Sequence, residues 1–185
     1  MKMTKILLGL LIVLMVFAAS GCEKGSQGEP AKPAAGVSDN AAKPAETSME
    51  VKLYYPNNDA TKLVGIKRTI RFKGSSSAKY RAVIDELLKG PEDSGLVAII
   101  PKQTKLLGVS VAGDTAKVDF DKALVNSFNG GSTGEEMLVG SIVNTLTEFP
   151  EIKKVQIVVE GRNVETLKGH IDTSKPLPRM EELLK

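Results

Sequence analysis

The sequence predicts an α+β domain: an antiparallel-rich, mixed sheet of about five strands with two helices packed on one face. Three observations predict it. Apolar residues alternate with polar ones in several short runs, the period of a half-buried strand. Two further stretches carry apolar residues at i, i+3, i+4 and i+7, the stripe of an amphipathic helix. The strand-like runs lie mostly next to one another in the chain rather than alternating with helices, which favours local antiparallel pairing.

The elements follow in order. Met49, Val51, Leu53 and Tyr55 alternate with polar or charged neighbours, and Pro56-Asn57-Asn58-Asp59 ends that strand. Val64, Ile66, Arg68, Ile70 and Phe72 form a second alternating run. Gly74-Ser75-Ser76-Ser77 breaks it and offers capping hydroxyls. Tyr80, Val83, Ile84, Leu87 and Leu88 then make the clearest helical stripe, stopped by Gly90-Pro91. Residues 91–104 read as a loop. Leu106 to Ala112 and Thr115 to Phe120 are β-rich and joined by Gly113-Asp114, a connection suited to a tight hairpin. The glycine-rich Asn129 to Gly134 leads into a second helix, where Thr133 and Glu136 match a capping box. Leu138, Ile142, Leu146 and Phe149 are its predicted buried stripe, and Pro150 stops it. Val155, Ile157 and Val159 alternate in a last strand, turned by Gly161-Arg162-Asn163.

The chain opens with Lys2 and Lys5, an apolar run of 12 residues from Ile6 to Phe17, and Ala19-Ser20-Gly21 before Cys22. This is the layout of a signal peptide over residues 1–21, and the run is shorter than the roughly 20 residues of a membrane span. Cys22 is the only cysteine. The segment resembles a bacterial lipobox, with Ala19 where Leu is usual. The resemblance implies lipid attachment at Cys22 and an extracytoplasmic domain held at the cell membrane. Residues 22–48 follow as a lipidated cysteine and a Pro/Ala/Gly/Ser tether with almost no large apolar side chains. Its 26 residues after the cysteine would span roughly 28 Å as a flexible coil. Residues 49–178 are expected to form one domain, and 179–185 a C-terminal tail with helical character.

Composition narrows the function. Loss of Lys2 and Lys5 with the leader takes the formal net charge from +3 to +1, so the mature chain lacks the electrostatic footprint of a nucleic-acid binder. With no Trp and few Phe and Tyr, it also lacks a stacking platform for single strands.

Catalytic chemistry finds little to work with. His170 is the only histidine, and neither an HExxH nor a Walker A sequence is present. Serine catalysis would need His170 as its base, and the lone thiol is assigned to lipid. The expectation is a non-enzyme with no cofactor. Asn129 to Gly134 is a candidate phosphate cradle at a helix N-terminus, but Glu135 and Glu136 in the first turn would repel an anion, and a capping loop is the favoured reading. Asp119, Asp121, His170 and Asp172 are the candidate ligand or metal contacts, with oxygen and nitrogen donors suited to a divalent ion; a solvated strand face is the plainer alternative. Lys67, Arg68, Arg71 and Lys73 cluster on the second strand, as on a protected sheet edge or a surface that attracts anionic lipid or cell-wall polymer.

An ordered set of segments carries a family resemblance: Leu53-Tyr54-Tyr55-Pro56, Leu87-Leu88-Lys89-Gly90-Pro91, Ile100-Pro101, Val118-Asp119-Phe120-Asp121, Asn144-Thr145-Leu146, Val155-Gln156-Ile157, Gly169-His170-Ile171-Asp172 and Pro176-Leu177. Over roughly residues 50–178 the chain resembles the GerMN domain, a sporulation and spore-germination module found in lipoproteins. The resemblance implies a non-catalytic fold similar to the ring-building domains of secretion and channel assemblies. It also implies a protein partner in the cell envelope, with a homo-oligomer as a further candidate. It supplies no catalytic residues. The alternative function is a lipoprotein that binds a small ligand, a metal ion or a cell-wall polymer.

Overall fold

The computed structural model describes residues 46–184. The leader, Cys22 and the tether up to residue 45 lie outside the described residues.

Two long strands, β1 (Glu46–Pro56) and β2 (Leu63–Lys73), pair antiparallel over their whole length as a two-stranded ribbon. The strand begins at Glu46, so the end of the expected tether belongs to the ribbon, although residues 46–48 stay exposed. Alternation sorts the ribbon's faces: Val51, Leu53 and Tyr55 are buried on one side, while Lys67, Thr69 and Arg71 are exposed on the other. Helix α1 (Ser76–Leu88) follows and buries Tyr80, Val83, Ile84 and Leu87, the stripe read from the sequence. Residues 91–104 form a loop apart from one bridge between Asn57 and Leu96.

The second sheet begins with the hairpin β3 (Leu106–Ala112) and β4 (Thr115–Phe120). Its turn has Gly113 at φ 59° in the first central position, the requirement of a type II′ turn. A short helix, α2 (Ala123–Asn126), and the long α3 (Ser132–Leu146) carry the chain back to β5 (Lys154–Val159), which pairs parallel to β4. The other edge of β5 is shared by two short strands, β6 (Arg162–Asn163) at one end and β7 (Leu177–Pro178) at the other. The α+β class and the mixed five-stranded sheet therefore stand, and the β1–β2 ribbon is additional to that sheet.

Helix α1 packs on both β2 and β3, and α3 packs mainly on β1. The two helices link the ribbon to the larger sheet through one core that includes Leu53, Ile84, Phe120, Leu138, Ile142 and Ile157. Three local expectations need correction. No side chain caps α3: Gly131 is the N-cap, and Thr133 is exposed, so the Thr133–Glu136 capping box does not form. The last turn sits one residue early, with Glu160 at φ 49° and Gly161 at φ 76°, which leaves Arg162 and Asn163 in β6. The C-terminal tail is a packed part of the domain. Glu181–Leu184 form a 3-10 turn, and Leu183 is buried with Tyr54, Leu63 and Met137. Leu183 comes so close to α3 at Gly140 that a Cβ there would collide with it and with Leu63. Among the described residues no helix is long and apolar enough to cross a membrane.

Candidate interaction surface

The candidate ligand residues land on separate structural tasks. Asp119 Oδ1 accepts the Gly161 N–H at 2.9 Å and pins the β5–β6 turn. Asp121 Oδ1 accepts from Lys105 N–H (3.0 Å) and Ala123 N–H (3.2 Å), which holds the start of α2. Asp172 accepts from the Ser174 N–H and hydroxyl at 2.9 and 2.6 Å, and these bonds with the nearby Lys175 charge lower its pKa. His170 is held through its backbone, whose N–H donates to Glu135 Oε2 at 2.9 Å. These four residues are not brought together: among the described residues no three His, Cys, Asp or Glu side chains converge to hold a metal ion. The glycine-rich stretch spells Gly-x-Ser-x-Gly over Gly130–Gly134, the pattern of a nucleophile elbow. An elbow needs a strand entering the turn, whereas here irregular chain leads to an exposed Ser132 at the start of α3.

Sequence reasoning missed the most buried charged group. Glu135, in the first turn of α3, is fully buried. Its Oε1 accepts the N–H groups of Leu167 and Lys168, both at 2.9 Å, and Oε2 accepts that of His170. One carboxylate thereby fastens the 165–173 segment, which also receives the Gln156 side chain at Thr173 O, 2.7 Å. The signal available in sequence was a glutamate at a helix N-terminus, where its charge suits the helix dipole.

A second missed group joins β1 to the C-terminal segment. Glu148 accepts from Lys52 Nζ (2.7 Å), the Tyr54 hydroxyl (2.8 Å) and Arg179 Nη2 (3.0 Å). Burial pushes the Glu148 pKa up, but these bonds outweigh it and hold the carboxyl low. Asn144, fully buried, clasps the Met180 backbone with both ends of its amide, at 2.8 and 3.0 Å. Near α1, Lys79 Nζ and the Tyr80 hydroxyl both donate to Glu151 Oε1, at 2.7 and 2.6 Å. Those two bonds hold the Glu151 carboxyl down at about 2.

The basic cluster on β2 divides by alternation. Arg68 turns inward, with Nη1 2.9 Å from Glu86 Oε1 and Nη2 donating to Gly90 O at 3.2 Å. Lys67, Arg71 and Lys73 stay on the exposed face, where Lys67 pairs with Glu50 and Lys73 with Glu46. Beside Arg71 a groove of about 410 Å³ runs between β2 and α1. The described surface is thus one of open strands and grooves, and Glu135, Asn144, Glu148 and Arg68 are committed to holding the fold.

Comparison with known proteins agrees with this architecture. The family model described as Germane, sporulation and spore germination, matches residues 52–165. The chain belongs to this family. Its relative spore germination protein GerM of Bacillus subtilis is 33% identical over 135 residues, which cover 70% of this chain and 35% of that protein. The chain therefore spans about a third of the length of the curated relative it matches. Among solved structures, a Clostridium perfringens chain described as a lipoprotein superposes with a TM-score of 0.53 at 29% identity, covering 72% of this chain and 89% of that one. The tandem GerMN domains of B. subtilis GerM superpose with a TM-score of 0.54 at 25% identity, covering 83% of this chain and 50% of that one. This Germane domain thus keeps company with proteins described by sporulation and germination rather than by an enzymatic reaction.

Proposed function

We propose that the protein is a lipid-anchored, extracytoplasmic lipoprotein whose Germane domain is a non-catalytic module for protein interaction or scaffolding in the cell envelope, serving sporulation or spore germination. One observation carries the non-catalytic reading. The acidic groups that chemistry would recruit are committed to the backbone: Asp119, Asp121, Asp172 and Glu135 each accept N–H groups from turns, helix starts or loops. The lipobox at Cys22, the family and the lipoprotein among the structural relatives support the anchored, envelope setting. Two or more acyl chains on Cys22 would give stable anchoring, at about 0.8 kcal/mol per buried CH₂.

Two experiments test this reading. Membrane fractionation should find the wild-type chain in the membrane pellet and Cys22→Ser in the soluble or released fraction; retention of the variant in the pellet would remove the anchor. Chemical cross-linking in whole cells, followed by isolation of the chain from detergent, should yield discrete protein adducts. A chain that stays free at every stage of growth and sporulation would defeat the interaction reading.

A further inference from the structure

The groove between β2 and α1 has the two walls of a strand-docking site. One wall is a free strand edge. β1 turns the Tyr54 N–H away from β2 to donate to Thr145 Oγ1, and turns the Pro56 carbonyl away to accept from Val97. In an antiparallel pair such outward groups mark the non-hydrogen-bonded positions, which recur every second residue. Their partners across the register are Gly65 and Leu63, so Lys67, Thr69, Arg71 and Lys73 also turn their N–H and C=O groups to the open edge. All four are exposed, and β2 pairs only with β1 among the described residues. The other wall is α1, where the small Ala82 faces the groove one turn before Asp85 and Glu86. Glu86 is already satisfied by Arg68 and Lys89. A sheet edge beside a helix is the setting in which an extended peptide adds as a new strand, main chain to main chain, with alternate side chains read by the walls.

We propose that this groove receives an extended segment of a partner protein, which adds as a third strand beside β2 and carries alternating acidic and apolar side chains. The charge on the edge selects the occupant. Lys67, Arg71 and Lys73 lie on one face, at the period of a neighbouring strand's side chains, and Arg71 has no ion-pair partner among the described residues. Acidic residues on the incoming strand meet this row, and its alternate apolar residues face the Ile70 and Ala82 side. A second copy of β2 would set cations against cations, which disfavours self-pairing. The tether is a poor occupant as well, because Pro30, Pro33 and Pro44 interrupt it and it lacks alternating apolar residues. The inference rests on the interaction reading above and gives it a surface and a partner chemistry.

The test uses the full chain, purified in detergent micelles and labelled for amide NMR. The probe is a blocked nonapeptide of alternating valine and glutamate; the control has lysine for glutamate. The Val/Glu peptide should bind and shift amides at Lys67–Lys73 and Ala82–Lys89, and the lysine peptide should bind at least tenfold more weakly. Thr69→Pro removes one outward N–H without touching the ladder to β1 and should weaken binding about tenfold. The surface change Arg71→Glu should reverse the preference between the peptides with the fold intact. Equal binding of both peptides, no binding at millimolar peptide, or shifts confined to β3 and β4 would each overturn the proposal. If the peptide fails while whole-cell cross-linking still captures a partner, the groove is wrong and the interaction reading stands. If the peptide binds as described and cross-linking finds nothing, the groove stands and that reading falls.

Discussion

Replacing Glu135 by Gln keeps the size of the side chain and removes its charge, so it isolates the clamp on the 165–173 segment. In the native protein both carboxylate oxygens accept, one from Leu167 and Lys168 and the other from His170. The amide has a single acceptor. In its better orientation it keeps the Leu167 and Lys168 bonds as neutral ones and turns NH₂ toward the His170 N–H, donor against donor. Bonds to a charged acceptor are worth about 1.5–3 kcal/mol and neutral ones about 1. Losing one and weakening two costs about 4 kcal/mol, and the easier burial of a neutral amide returns about 1. A net loss of about 3 kcal/mol corresponds to roughly 10 °C in Tm for a domain of this size. Calorimetry gives the total, and amide exchange places it: Leu167, Lys168 and His170 should lose protection ahead of the β4 and β5 amides. A Tm within 2 °C of wild type with those three amides still protected would refute the account of Glu135 as the clamp.

Other substitutions test other joints. Glu151 has its folded pKa lowered from 4.5 to about 2, so its ionised form adds stability above pH 4.5 that fades as pH falls toward 2; urea titrations should show Glu151→Gln less stable than wild type at pH 7 and level with it near pH 2. Gly140→Ala should cost about 1–3 kcal/mol through overpacking against Leu183 and Leu63, and a thermal-melt double-mutant cycle with Leu183→Ala should show that the two losses do not add. Glu160→Asn should raise stability by about 1 kcal/mol, because Glu160 holds a left-handed φ of 49° ahead of Gly161 and that turn favours Asn-Gly; an unchanged denaturant midpoint would count against strain at that position.

What could be read from sequence was what neighbours in sequence decide. The α1 stripe and the Gly113-Asp114 hairpin depend on residues a few positions apart, and both appear in the fold. The strand β5 forms as expected, but its alternation does not: Gln156 and Val158 are buried along with Val155 and Ile157, because the strand is covered on both faces. The parallel pairing of β4 with β5 does not depend on near neighbours, because α2 and α3 intervene. Glu135 looked like a dipole partner since its three donors lie 32 to 35 residues downstream. The capping box failed because the chain turns into α3 at Gly131, ahead of Thr133. Arg68 is the instructive case: the alternation that put Ile66 and Ile70 inside put Arg68 there too, yet its charge grouped it with Lys67 and Arg71. At the candidate ligand site, residue type was legible and convergence was not, because each aspartate is committed to a different stretch of backbone: Asp119 to Gly161, Asp121 to Lys105 and Ala123, and Asp172 to Ser174.

The closure of the C-terminal segment on the first strand sets the order in which the molecule can be made. Tyr54 bonds to Arg179 across 125 residues of sequence, Asn144 reaches 36 residues ahead to Met180, and Leu63 shares its cluster with Leu183. An N-terminal fragment emerging first therefore carries the β1–β2 ribbon with Tyr54 and Leu63 unsatisfied, and β4 still waiting for β5. Such non-local closures must be paid in chain entropy before any contact rewards them, which slows folding and leaves strand edges open meanwhile. The chain cannot lock into its native shape until almost all of it has emerged, and the export proposed above, as an extended thread through a membrane, would gain from that delay.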